Sequence, residues 1–300
     1  MTPSPTPAPL NAAAVLRQFG LRPDKKLGQN FLQDDGALKK IIAAAEITPG
    51  ESVLEIGPGV GSLTRYLALA ASRVTAVELD TRLLPALQSV VAPYENVTVI
   101  QGDILKLSPA ALSLGKDYIV VANIPYNITS AILRHLLEAN VTVTSSKFPR
   151  SEEKRGEATV TSRPRRIVLT IQREVAERVC AGPGGMSLLA LSVQVYGQPS
   201  IAAHIPAGAF FPAPNVDSAV LKIEILPEPR LPFDRLETFF RLTKAGFSQK
   251  RKTLRNSLSA GLGIEPSEAE SMLARAGVDP QRRAETLSIE EWGKLVENLA

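Results

Sequence analysis

The stretch Ser52-Val53-Leu54-Glu55-Ile56-Gly57-Pro58-Gly59-Val60-Gly61 decides the fold. Ser52 to Ile56 is a short, mostly apolar run of the kind that forms a buried strand. Three glycines at alternate positions come next, and Leu63 to Ala71 then carries helical spacing. Glycine permits a tight strand-to-helix turn and lets a ligand approach the main chain closely. The spacing is GxGxG, not the GxGxxG of dinucleotide-binding turns. By itself such a turn also suits a sharp corner with no ligand.

On the C-terminal side the same alternation continues. Arg73 to Glu78, Val97 to Gln101, Tyr118 to Asn123 and Ile167 to Gln172 read as strands, with helices over Thr81 to Ala92 (Pro85 in its first turn) and Thr129 to Ala139 (Thr129 as its N-cap). Strands alternating with helices predict βαβ units, hence an α/β fold with a Rossmann-like parallel sheet and helices on both faces. Val216 to Leu226 reads as a last strand, and Pro227, Pro229 and Pro232 mark a boundary. Beyond it Leu236 to Phe247, Lys252 to Leu258, Ser267 to Ala276 and Ile289 to Leu299 are helical in pattern. The expected organisation is a Pro-rich tail over 1–24, disordered at its start, a catalytic domain over 25–228, and a small all-helical domain over 229–300. Thr142 to Arg165, polar and too long for an ordinary connection, reads as a mobile insertion.

Ligands of open α/β sheets bind beyond the carboxyl ends of the strands. Glu78 closes the second strand and can accept bonds from both hydroxyls of a ribose. Asp103, just past the third, can accept from the exocyclic amine of adenine. Asn123-Ile124-Pro125-Tyr126 closes the fourth. The Asn123 side-chain oxygen and a main-chain carbonyl beside Pro125 can accept the two hydrogens of a base amine, and Tyr126 can stack on the base. Each group alone also fits a surface acid, a helix cap or a turn. Four consecutive strand ends carrying them together favour one site.

The chain has 300 residues, 44% of them hydrophobic, enough for one sizeable core and a smaller second unit. One cysteine, Cys180, and two histidines, His135 and His204, argue against a disulfide framework or a metal centre. Cys180 reads as a small buried hydrophobe. No apolar run reaches the roughly 18 to 20 residues of a membrane span, and the N-terminal prolines do not form a secretion signal. A cytoplasmic protein is expected. Net charge is +4, unevenly placed: Arg241 to Arg255 holds six basic residues and no acidic one. Such a run is a solvated helix face or, beside a base-binding site, a nucleic-acid contact.

The motifs together resemble S-adenosylmethionine-dependent methyltransferases and, within them, the ribosomal RNA adenine dimethylase family, from about Lys25 to the C-terminus. Lys26-Leu27-Gly28-Gln29-Asn30-Phe31-Leu32 is similar to that family's N-terminal cofactor segment. Phe210-Phe211-Pro212-Ala213-Pro214-Asn215-Val216-Asp217-Ser218 resembles its second aromatic motif, and Ala245 to Leu258 its basic C-terminal signature. The resemblance implies S-adenosylmethionine as cofactor, held by Asn30, Leu32, Gly57, Gly59, Glu78, Asp103 and Asn123. It implies that Asn123, Pro125, Tyr126 and Phe210 handle a target adenine, and that Lys250, Arg251, Lys252 and Arg255 bind RNA. The implied reaction is dimethylation of two adjacent adenosines in the 3'-terminal hairpin of small-subunit (16S) rRNA, by a monomer acting on the assembling subunit without a metal or a membrane. A large-subunit rRNA adenine methyltransferase and a non-catalytic assembly factor are the competing readings.

Overall fold

In the computed structural model, which describes residues 6–112, 114–115, 117–138 and 163–298, the elements run in the following order. They are α1 (Ala12–Gln18), β1 (Phe31–Leu32), α2 (Asp35–Ala45), β2 (Ser52–Ile56), α3 (Ser62–Ala70), β3 (Arg73–Glu78), α4 (Leu84–Val91), β4 (Val97–Gln101), β5 (Asp117–Asn123) and α5 (Thr129–Glu138). There follow β6 (Arg163–Gln172), α6 (Arg173–Val179), α7 (Leu188–Gln194), β7 (Gly197–Ile205), β8 (Phe210–Phe211), β9 (Ser218–Ile225), α8 (Leu236–Gly246), α9 (Leu254–Leu262), α10 (Pro266–Arg275) and α11 (Ile289–Glu297).

Seven strands form one sheet in the order β4-β3-β2-β5-β6-β9-β7, and β1 pairs with β8 in a separate ribbon. β4, β3, β2, β5 and β6 are mutually parallel, and β9 runs antiparallel to β6. The central strands are apolar on both faces because helices cover both: Val53, Val74, Ile119, Val120, Val168 and Leu169 are wholly buried. From β2 the chain winds outward through β3 to β4, then returns to the other side of β2 with β5. The reversal lies between β2 and β5, where a crevice opens beyond the carboxyl ends of an open sheet.

The chain divides into two compact units, residues 1–176 with 200–225, and 177–199 with 226–300. This differs from the expected 25–228 and 229–300: α7 and the residues around it cluster with the C-terminal helices. Gly184 and Met186 donate to the Glu285 carbonyl and Gln194 Nε2 to those of Val179 and Ala181, so the segment is tied by polar bonds that hydropathy does not reveal. In the helical unit Trp292, Phe239, Leu242, Leu258 and Leu273 are fully buried, and Ser288 with Glu291 forms a capping box at the start of α11.

Several expectations need correction. Residues 12–18, placed in the tail, form a helix N-capped by Asn11 that buries Ala12 and Leu16 against Phe31, Val60 and Leu83. Thr129 is the first residue of α5 rather than its cap, because a 3₁₀ turn over Tyr126–Ile128 precedes it. Cys180 is partly exposed. The insertion expected over 142–165 lies outside the described residues up to 162, and residues 163–165 already belong to β6. No described helix is long and apolar enough to cross a membrane, and no cluster of three His, Cys, Asp or Glu side chains that could hold a metal occurs among the described residues.

Candidate active site

The glycine turn follows from backbone geometry and from neighbours. Gly57, Gly59 and Gly61 have φ of 66°, 61° and 88°, in the left-handed region that L side chains rarely adopt. A Cβ on Gly59 would lie 2.9 Å from the Phe31 ring, and one on Gly61 3.0 Å from Val90. Gly57 differs, since its open side looks toward the Asn123 carbonyl at 4.0 Å. Its N–H donates to Val77, which locks the turn to β3.

Glu78 ends β3 almost buried. One oxygen accepts from the Gly59 N–H (3.0 Å) and the other from the Asp80 N–H (2.8 Å). Each carboxylate oxygen keeps a further acceptor position, so two hydroxyls can still be bound. Burial raises its pKa, and the two N–H groups oppose the rise. Asp103 caps the 3₁₀ turn over Ile104–Lys106 by accepting from the Leu105 N–H, and its side chain remains partly accessible.

The other wall is the segment 24–30. Asn30 Nδ2 donates back to the Gly28 carbonyl at 3.1 Å, and the Asn30 carbonyl in turn accepts from Asn123 Nδ2 at 3.0 Å. A main-chain carbonyl can only accept, so this bond settles which end of the Asn123 amide faces it and leaves Oδ1 as the outward acceptor. Tyr126 is anchored by a 2.7 Å bond between its hydroxyl and Ser218 Oγ on β9.

One cleft is lined by Asn30, Leu32, Gly57, Gly59, Glu78, Asp103, Asn123, Pro125 and Tyr126. Phe210 is not among these residues. It is 3% exposed, opposite Leu32 in the β1–β8 ribbon, and packed in the core with Leu38, Tyr66 and Ile205. Its neighbour Phe211, opposite Phe31, packs into a different cluster. Lys250, Arg251 and Lys252 are exposed in the turn between α8 and α9, and α9 starts at Leu254, two residues later than the helix expected from Lys252. Arg255 is partly buried and bonded to Glu270 at 3.2 Å.

Glu55, two residues before Gly57, also lines the cleft, a position to which the sequence patterns give no role. It is 1% exposed, its Oε2 has no hydrogen-bond partner, and burial together with the nearby Glu78 charge pushes its pKa up to about 8. A lone buried carboxyl oxygen is costly unless a ligand satisfies it. A ligand carrying ribose hydroxyls, an adenine amine and positive charge suits this set of acceptors.

Sheet order, glycine turn and acidic strand ends are those of the Rossmann-like methyltransferases, whose methyl donor is S-adenosylmethionine. The family model for ribosomal RNA adenine dimethylase matches residues 20–300, and the chain belongs to that family. It is 45% identical over 287 residues to the ribosomal RNA small subunit methyltransferase A of Dehalococcoides mccartyi strain CBDB1, covering 95% of this chain and 91% of the relative. The protein of the same description from Lactococcus lactis is 40% identical over 293 residues, covering 95% and 92%. Among solved structures, the 23S rRNA methyltransferase ErmE superposes with a TM-score of 0.67 at 28% identity, covering 90% of this chain and 99% of that one. A dimethyladenosine transferase from Plasmodium falciparum shares the fold with a TM-score of 0.69 at 24% identity, covering 88% and 95%.

Proposed function

We propose that the protein transfers two methyl groups to the exocyclic amine of each of two adjacent adenosines in the 3'-terminal hairpin of small-subunit rRNA. It would act as a cytoplasmic monomer during assembly of the subunit. The observation that carries this reading is the orientation of Asn123, whose Oδ1 is left as an acceptor on the cleft by the bond from Nδ2 to Asn30.

An adenine amine is a weak nucleophile because its lone pair is conjugated with the ring. Asn123 Oδ1 and the carbonyl preceding Pro125 would accept its two hydrogens and draw that lone pair out of conjugation. S-adenosylmethionine supplies a methyl group on positively charged sulfur. The amine becomes acidic as it gains the methyl, so no strong base is needed, and positioning and electrostatics do most of the work. Tyr126 would stack on the base, worth roughly 1–3 kcal/mol, comparable to the cost of flipping it from its stack. Glu78 would hold the ribose, Asp103 the cofactor's adenine, and Glu55 its positive charge.

Lys250, Arg251 and Lys252 stand immediately before the N-terminus of α9, where cations work against the helix dipole. Backbone phosphate there would satisfy both the cations and the helix end, which supports RNA contact by this turn. Relatives described as small-subunit enzymes at 40–45% identity, against 28% for ErmE, support the small subunit over the large. Labelled methyl incorporation into unmodified ribosomal subunits, with the sites mapped on both RNAs, tests the reading. Label confined to large-subunit RNA, or none in either, would reject it.

A further inference from the structure

The cofactor wall formed by residues 24–30 has little apolar anchorage: none of the seven is buried. Five of them, Lys26 to Asn30, line the cleft. What holds them is a polar network centred on Arg82, a residue that does not itself line the cleft. Its Nε bonds Asp80 Oδ1 at 2.8 Å and its Nη2 bonds Asp80 Oδ2 at 2.7 Å, a two-pronged fork onto a nearly buried carboxylate. The same Nη2 reaches Asp24 Oδ2 at 2.9 Å. Gln29 closes the loop, with Nε2 donating to Asp80 Oδ2 and Oε1 accepting from the Asp24 N–H, both at 2.8 Å. The Asp80 N–H bonds Glu78 Oε1, so the network ends on the proposed ribose reader. At its other end Asn30 holds Asn123.

We infer that Arg82 is a positioning residue for the methyl donor: it fixes the 24–30 segment to the turn after β3 and so joins the two walls of the cofactor cleft. An exposed ion pair usually contributes little to overall stability. Arg82 is about half exposed, but its bonds are fork-like and shared, and together with the Gln29–Asp80 and Asn123–Asn30 bonds they restrain a segment with no buried residue. Its effect is therefore felt at the ligand more than in the global fold. A lysine cannot reproduce it, since one ammonium group cannot form the fork on Asp80 and reach Asp24 in the same planar geometry.

The inference rests on S-adenosylmethionine occupying this cleft, and the experiment separates the two. Affinity for S-adenosylhomocysteine is measured by calorimetry, alongside thermal midpoint, RNA affinity without cofactor, and tryptic cleavage after Lys25 and Lys26. Arg82→Ala should weaken S-adenosylhomocysteine binding about threefold to tenfold and speed cleavage of the segment, with RNA affinity unchanged. Arg82→Lys should recover only part of the loss. Asp24→Asn can keep the oxygen that accepts from the Lys26 N–H while replacing the one that accepts from Arg82 by an NH2 group that cannot accept, so it breaks the same pair from the other side and provides the test if Arg82→Ala folds poorly. The double variant Arg82→Ala, Asp24→Asn should bind no worse than Arg82→Ala. Wild-type ligand affinity and cleavage rate in both single variants, or strictly additive losses in the double, would overturn the role of Arg82. Unaltered binding in Glu78→Ala would instead reject the cleft as the cofactor site.

Discussion

The carboxamide nitrogen of Asn123 donates to the main-chain oxygen of Asn30 across 3.0 Å, joining the end of β5 to a segment 93 residues earlier in the chain. The bond makes Asn123 sensitive to both ends of its amide. Asn123→Ala should abolish methylation while the thermal midpoint and RNA affinity stay near wild type. Asn123→Asp keeps the shape and the acceptor yet sets a carboxylate oxygen against the Asn30 carbonyl, so it should fail almost as badly. Substantial methyl incorporation by the Asp variant would show that the orientation of the amide is unimportant.

Phe210 yields a different prediction from the one its motif suggests. With its ring packed in the core, Phe210→Ala should cost about 3–5 kcal/mol of stability, typical of emptying a buried aromatic site. Cofactor affinity should fall too, because Phe210 faces Leu32 across the ribbon. Chemical denaturation and ligand titration on the same variant check both. A stable Phe210→Ala protein that binds cofactor normally and loses only turnover would return the residue to the target base.

Tyr126→Phe removes the bond to Ser218 but keeps the ring. A typical hydrogen bond contributes about 1 kcal/mol, so turnover should fall several-fold without being abolished. Tyr126→Ala should lose much more, since the stacking face goes as well. Single-turnover rates at saturating cofactor distinguish the two.

Glu55 should make cofactor binding pH-dependent. Its pKa in the folded protein, about 8, lies above the ordinary 4.5, so between these values the folded chain holds a proton that the unfolded chain has released. Its contribution to stability is therefore complete below about 4.5 and lost as pH rises to about 8. Positive charge on the ligand favours the ionised carboxylate, so binding of S-adenosylmethionine should release a proton and tighten as pH rises toward about 8. Glu78, also raised by burial, adds to the slope, and comparison with Glu55→Gln isolates the Glu55 share. Calorimetric titrations across this range should give a flatter profile for the Gln variant. Superimposable profiles would remove Glu55 from the cofactor's reach.

The basic turn should govern the salt dependence of RNA binding. Replacing Lys250, Arg251 and Lys252 by Ala should reduce the slope of log affinity against log salt by roughly 0.7–0.9 for each phosphate no longer neutralised. Arg255→Ala should reduce it less, because Arg255 already pairs with Glu270. An Arg255→Ala effect equal to that of the triple variant would mean that RNA displaces Glu270.

The parallel core was legible because its strands are short, apolar and cleanly punctuated: β2, β3 and β4 lie where their patterns place them. α1 was not, since only Ala12 and Leu16 are buried in a stretch that otherwise reads as a proline-rich tail. β7 carries Gln198-Pro199-Ser200-Ile201-Ala202-Ala203-His204, too polar to signal a strand at the edge of a sheet. The cleft residues could be read from strand ends, whereas the burial of Phe210 could not. Successive strand residues face opposite ways, and which faces the core depends on pairing with a two-residue strand about 180 positions earlier. The role of Arg82 is hidden for a related reason: it pairs with Asp24, 58 residues earlier in the chain, and with Asp80, which Gln29 reaches from 51 residues away.

The ribbon of β1 and β8 has a consequence for how substrate preference can change. Phe210 and Phe211 brace the cofactor segment at Leu32 and Phe31, and eight residues after Phe210 the same stretch ends in Ser218, which holds the ring of Tyr126. Under the proposed function, donor and acceptor would thus be served by one short piece of chain. A substitution there that reshapes the pocket for a different base should also alter the fit of the methyl donor. Engineering a new target nucleotide should therefore require compensating changes in residues 31 and 32, and selection for either substrate acts on both.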